Sequence, residues 1–255
     1  IGSILTTSAP QSARIPAVAG PATHTPSSTT FTSRIGPGTA PPRWSPTVQP
    51  TLGAFPDLSA IQRHRRLRPG AGTVRAVILF VCTGNICRSP MAEGLFREIL
   101  GDAGSELEVA SAGTYGADGE PASGHAIRVL ADRGVDIDAH RSRPLTSDLV
   151  DEADLVVVMA RSHEAAVAAF DQTARSRTFL AGEAARLGGQ AGARGAGDSV
   201  RVWAEALHAA RGGHMTTGRL ADEVADPYGE PEDGYRRTAD RLEGICSALA
   251  RLLGP

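Results

Sequence analysis

The sequence predicts an α/β fold: three layers, with a central four-stranded parallel sheet flanked by helices. Two observations predict it. First, short apolar runs rich in β-branched residues, AVILFV (76–81) and ADLVVVMA (153–160), suit strands buried on both faces. Second, stretches with helical periodicity separate such runs, and strands that alternate with helices assemble into a parallel sheet with covered faces.

The elements follow in order. AVILFV is the first strand. A helix should follow, with Ser89 as N-cap, Pro90 in its first turn, a buried stripe of Met91, Leu95 and Ile99, and Gly101 as its end. ELEVAS (106–111) reads as the second strand. PASGHAIRVLADRG (121–134) reads as a helix closed by Gly134. ADLVVVMA is the third strand, followed by a helix over 161–170, and RTFL (177–180) is a short fourth strand. SVRVWAEALHAARGG (199–213) and EDGYRRTADRLEGICSALARLL (232–253) are amphipathic helices. GGQAGARG (188–195) reads as a flexible surface loop.

Residues 1–73 stand apart. They are rich in Pro, Ser, Thr, Gly and Ala without sustained periodicity, and read as a disordered tail ending in the basic cluster RHRRLRPGAG. The folded domain is expected over 74–255. The chain begins with Ile1, and its first methionine, Met91, already lies in the first turn of the first helix, which predicts that translation starts near Val74 at a non-AUG codon.

Charge is uneven. The tail carries seven arginines against one acid, Asp57, whereas the remainder carries 19 arginines against 27 acids, with no lysine anywhere. A domain of that balance lacks the polybasic surface of a nucleic-acid binder. No apolar run approaches the ~18 residues of a membrane span, and the N-terminus lacks a secretory leader pattern. Three cysteines in 255 residues do not make a disulfide scaffold, and free thiols point to a reducing, cytoplasmic compartment. A monomer or weak dimer is expected.

The chemistry concentrates in VCTGNICRSPMAE (81–93). In open α/β sheets ligands bind at the carboxyl ends of the strands, and Cys82 ends the first one. Between it and the helix lie Thr83, Gly84, Asn85, Ile86 and Cys87. Such a loop can curl its backbone N–H groups around an anion at the helix N-terminus. Gly84 and Asn85 tolerate the positive φ that a tight curl needs. Arg88 adds a planar fork suited to bidentate phosphate contact. A nucleophilic thiol and its phosphate cradle therefore share one turn. A metal site is not indicated: Cys82 and Cys87 have no second Cys/His pair at ligand spacing, and the seven histidines are scattered. No cofactor is implied.

This stretch closely resembles the active-site signature of the low-molecular-weight protein tyrosine phosphatases. The likeness continues through SAGT (111–114), GHA (124–126), DAHRSRPLT (138–146), ADLVVVMARSH (153–163) and ADPYGE (225–230), and so spans the chain from Val74 onward. It implies a parallel sheet flanked by helices, as the periodicity does. It also implies that Cys82 is the nucleophile, Arg88 the phosphate clamp and Asp226 the general acid. Ser89 would donate a hydrogen bond to the Cys82 thiolate, and Asn85 would hold the loop's shape with Ser111 and His140 in support. Tyr228 would form a wall for an aromatic substrate. Cys87 matches the family's second loop cysteine, and reads either as a redox partner of Cys82 or as a core residue. Cys246 reads as a buried structural thiol, and His163 as a structural histidine or a site residue.

Chemistry supports an acid at Asp226. A phenol has a pKa near 10, so its expulsion at neutral pH benefits from protonation. A carboxylic acid beside a phosphate dianion keeps its proton, because like charges disfavour ionisation.

The expected substrates are proteins carrying phosphotyrosine. Phosphoarginine proteins are the alternative. Ile86, where arginine-specific relatives tend to carry Thr, favours tyrosine, whereas the single aromatic in DPYGE favours arginine. Arsenate reduction needs further downstream cysteines, and only Cys246 lies there. A non-catalytic phosphate-binding module would be expected to lack Cys82 or Asp226. The long interval between those two residues leaves open how the acid meets the loop.

Overall fold

A computed structural model describes residues 75–104, 106–116, 118–212 and 218–254. The expectations for residues 1–73 lie outside these.

Four parallel strands, β1 (Ala76–Cys82), β2 (Leu107–Gly113), β3 (Leu155–Val158) and β4 (Thr178–Leu180), form one sheet in the order β2-β1-β3-β4. Ile78 pairs with Val109 on one side and Leu155 on the other. The chain leaves β1 toward β2 and later returns across it to β3. The strand order therefore reverses beside β1, and the crevice at such a reversal opens at the strands' carboxyl ends. Cys82 is the last residue of β1.

The helices are α1 (Arg88–Leu100), α2 (Gly124–Ala131), α3 (Ser147–Glu152), α4 (Arg161–Phe170), α5 (Ala181–Ala191), α6 (Val200–Ala210) and α7 (Glu232–Leu253). Strand side chains alternate between two cores. Ile78, Phe80, Leu155 and Val157 pack with Met91, Phe96, Leu242 and Leu249 on one face. Leu79, Val81, Val156 and Val158 pack with Val150, Ala153 and Val167 on the other. That burial on both faces explains why β1 and β3 read as unbroken apolar runs, whereas β2 carries the exposed Glu108.

Three details differ from the sequence reading. Helix α1 begins at Arg88 with Cys87 as its N-cap, so Ser89 is its second residue and does not cap it. The buried stripe is Met91, Ala92, Leu95 and Phe96, while Ile99 is 37% exposed. The GGQAGARG segment is half helix: Gly188 to Ala191 end α5, and the loop starts at Gly192 with φ 90°. Gly188 lets α5 pack closely, because a Cβ would lie 2.6 Å from Leu252 Cδ1 and 3.0 Å from the Trp203 ring, and both side chains would have to shift. Helices α5 and α6, with Trp203 Nε1–H bonded to the Gly192 carbonyl at 3.0 Å, hold much of the chain between β4 and Asp226.

Candidate active site

Residues 83–87 join β1 to α1 as a tight loop around the Cys82 sulfur. Asn85 takes φ 54°, the sole positive φ at a non-glycine among the described residues. This turns its own N–H onto Cys82 Sγ at 3.3 Å. Ser89, in the first turn of α1, places Oγ 3.0 Å from the same sulfur. Its oxygen is engaged inward, which is why it does not serve as the cap.

The loop's shape is held from outside. Asn85 Nδ2 donates to Ser89 Oγ at 2.9 Å and to Ser111 Oγ at 2.8 Å. Asn85 Oδ1 accepts the Arg143 N–H at 3.0 Å. Ser111 in turn donates to Glu93 Oε2 at 2.5 Å. His140 Nε2 donates to the Asn85 carbonyl at 2.8 Å. Asn85 is completely buried, so each of these bonds offsets a desolvated polar group. Behind the loop, Thr114 and Tyr115 N–H groups donate to the carbonyls of Cys82 and Thr83, both at 2.9 Å. Gly113 permits this approach, since a Cβ would sit 2.7 Å from the Thr83 carbonyl oxygen. Gly84 is half-buried, and Ile86 folds its side chain toward it and against the core.

Arg88 is 5% exposed. Its Nη1 donates to the Val224 carbonyl at 3.3 Å, and its Nη2 to Thr83 Oγ1 at 3.3 Å and to Asp226 Oδ2 at 2.5 Å. Nε is buried with no hydrogen-bond partner among the described residues. Thr83 Oγ1 also meets His163 Nε2 at 2.9 Å.

Asp226 reaches the loop although 138 residues separate it from Arg88. The returning chain docks on the sheet: Val224 N–H donates to the Met159 carbonyl beyond β3 at 2.9 Å. A turn then aims the carboxylate. Asp226 Oδ1 accepts the Tyr228 N–H at 3.2 Å. The Pro227 carbonyl accepts the Glu230 N–H at 2.9 Å, and Gly229 supplies φ 83°. The Tyr228 ring is 71% exposed beside this turn.

Cys87 is buried in the core, with Sγ 3.4 Å from the Tyr235 hydroxyl and 3.5 Å from Ser123 Oγ. Burial pushes its thiol pKa up, and burial together with Cys87 pushes the Tyr235 phenol up to about 12. Both groups therefore stay protonated near neutrality. Cys246 is fully buried in α7, and burial pushes its pKa up to about 12.

Sequence reasoning did not single out Gly113, Arg143, Glu93 or the Val224 backbone. Gly113 carried a readable signal, a glycine closing an apolar strand beside the loop. The others act through bonds between distant positions.

The family model described as low molecular weight phosphotyrosine protein phosphatase matches residues 77–183. A protein-arginine-phosphatase of Bacillus subtilis is 33% identical over 69% of this chain and 95% of its own length. The low molecular weight protein-tyrosine-phosphatase Etp of Escherichia coli K12 is 41% identical over 69% of this chain and 93% of its own. The low molecular weight protein tyrosine phosphatase of T. tengcongensis superposes with a TM-score of 0.53 at 33% identity, covering 70% of this chain and 99% of its own. A four-stranded parallel sheet, a cysteine at the carboxyl end of its first central strand and a matching sequence across nearly the whole of such relatives agree: the chain belongs to the low molecular weight protein tyrosine phosphatase family.

Proposed function

We propose that this phosphatase hydrolyses phosphotyrosine in proteins through a phosphocysteine intermediate. One observation carries the reading: a thiol and a buried guanidinium from one loop at the end of β1 are joined there by a carboxylate from a distant stretch. The unpartnered Nε–H of Arg88 supports it, because a phosphate oxygen would satisfy that group while a neighbouring Nη–H binds a second oxygen.

In the first step Cys82 Sγ attacks phosphorus in line, the bond from phosphorus to the phenolic oxygen breaks, and Asp226 gives its proton to that oxygen. In the second step water attacks phosphorus and gives a proton to Asp226. The S–P bond breaks, and thiolate and inorganic phosphate are released. Dividing the displacement in two lowers each barrier. Arg88 and the loop N–H groups stabilise charge on the equatorial oxygens in both steps. Asn85, Ser111 and His140 keep those donors aimed, Ser89 lies against the sulfur, and Tyr228 flanks the entrance. We place this activity in the cytoplasm, where unpaired thiols stay reduced.

A second reading, phosphoarginine hydrolysis by the same residues, is favoured by the Bacillus subtilis relative. Rates on phosphotyrosine, phosphoarginine and phosphoserine peptides decide between them. The proposal expects phosphotyrosine to lead and Cys82→Ser to bind phosphopeptide without turnover. A phosphoarginine lead reverses the substrate assignment, and turnover retained by Cys82→Ser overturns the mechanism.

A further inference from the structure

His163 is 2% exposed and sits in the first turn of α4. Its Nδ1 accepts the Ala160 N–H at 3.0 Å. A ring nitrogen that accepts a hydrogen bond carries no proton, so the proton of the neutral imidazole is on Nε2. Nε2 therefore donates to Thr83 Oγ1 at 2.9 Å. Arg88 Nη2 donates to the same oxygen at 3.3 Å. A hydroxyl accepts two hydrogen bonds and gives one. With both acceptor positions filled, the Thr83 proton must point away from His163 and Arg88.

We infer that His163 is a positioning residue for the phosphate clamp: through its Nε2–H it fixes the Thr83 hydroxyl, and through that hydroxyl the Arg88 fork. The inference rests on the proposed phosphatase reading and adds to it a third element, α4, that orients the loop. The ring stays neutral over the working range, because burial and the Arg88 charge push the His163 pKa down to about 4, and the Ala160 N–H on Nδ1 fixes the tautomer. Capping of α4 needs only Nδ1. The bond from Nε2 to Thr83 is additional, and it leads toward the chemistry. A group that aims a charged donor is valuable before any substrate arrives, since reorientation during the reaction is avoided.

The two nitrogens can be tested separately. His163→Asn keeps an acceptor near the Nδ1 position but cannot reach Thr83. His163→Gln places an amide donor near Nε2 but abandons the cap. Turnover of 4-nitrophenyl phosphate, affinity for inorganic phosphate and melting temperature would be measured for both, alone and with Thr83→Val. The expected result is a crossover. His163→Asn melts closer to wild type yet loses roughly ten- to a hundredfold in kcat/KM, with weaker phosphate binding. His163→Gln melts lower but keeps most of both. Thr83→Val alone should cost about as much as His163→Asn, and adding it to that variant should cost little more, because one interaction is lost in each case. Wild-type kcat/KM in His163→Asn, or losses that multiply with Thr83→Val, would overturn the role. If the wild-type protein neither hydrolyses the aryl phosphate nor binds phosphate, the phosphatase reading and this inference fall together. If it does both and His163→Asn is indifferent, only the inference falls.

Discussion

Arg88 and Asp226 meet through a single hydrogen bond of 2.5 Å between Nη2 and Oδ2, with the arginine side chain 6% exposed and the aspartate 46%. The proposed clamp and the proposed acid thus engage each other when nothing lies between them. On the proposed mechanism, a phosphate oxygen entering the loop would compete with Asp226 for the same donor and free its carboxyl group, once protonated, for the leaving oxygen.

Asp226→Asn should therefore separate binding from turnover. Inorganic phosphate should bind more tightly, because Arg88 no longer has an anionic competitor. Phenyl phosphate turnover should fall about 10²- to 10⁴-fold, the range for a general acid, whereas 4-nitrophenyl phosphate, with its better leaving group, should suffer less. Steady-state rates across leaving groups of rising basicity check this. A variant as fast as wild type on phenyl phosphate would remove Asp226 from the mechanism.

Asn85 combines two roles that substitution can divide. Asn85→Ala leaves Ser111 Oγ, Ser89 Oγ and the Arg143 N–H without their present partner and retains a Cβ at φ 54°. A loss on the order of 3 kcal/mol of stability is expected from buried groups left unpaired and left-handed strain. Asn85→Gly accepts the dihedral freely but restores none of the bonds. It should melt above the alanine variant yet be equally slow on aryl phosphate. Denaturant unfolding and turnover measured side by side test both statements. Equal stability of the two variants would mean that the dihedral is not under strain.

How much of this was readable beforehand depends on range along the chain. Strands β1 and β3 and helix α1 were visible because burial on both faces writes itself as a continuous apolar run, and Pro90 marks a helix start. Ser89 misled, because Ser-Pro before an apolar stripe is a cap signature, whereas its hydroxyl meets Cys82 and Asn85. Helix α5 was unread: Gly182, Gly188 and Gly189 lower its local helix preference, and tight packing of Gly182 against the Asp222 backbone and Gly188 against Leu252 and Trp203 overrides it. Helix α3 is six residues long, too short to show a period. In the site, Cys82, Arg88 and Asn85 are neighbours in sequence and stood out together. The meeting of Asp226 with Arg88 depends on Val224 docking against Met159, which no spacing rule contains. The link from His163 through Thr83 to Arg88 likewise joins positions tied only by the folded chain.

Two consecutive residues of α4 should impose opposite pH dependences on stability. His163 is held neutral, its pKa pushed down from 6.5 to about 4 by burial and by Arg88. Between those values the unfolded chain takes up a proton that the folded protein refuses. Stability is complete above pH 6.5 and falls as the pH drops toward 4, by on the order of 3 kcal/mol. Glu164 is 6% exposed with neither carboxyl oxygen hydrogen-bonded among the described residues, and Arg211 Nη2 faces it as an ion-pair partner at 3.8 Å. Burial pushes its pKa above 4.5. Here the folded protein keeps a proton that the unfolded chain has lost, so stability declines as the pH rises from 4.5 through the folded-state pKa. Glu164→Gln removes that burden. Arg211 keeps its bonds to Glu183 at 3.0 and 2.8 Å in either case. The variant should be more stable than wild type at pH 7 by about 1 kcal/mol, with the gap closing toward pH 4. His163→Gln should instead flatten the acid side of the profile. Urea unfolding of all three proteins from pH 4 to 8 reads both slopes. A Glu164→Gln protein less stable than wild type at pH 7 would show that Glu164 is ionised and that its attraction to Arg211 outweighs its burial.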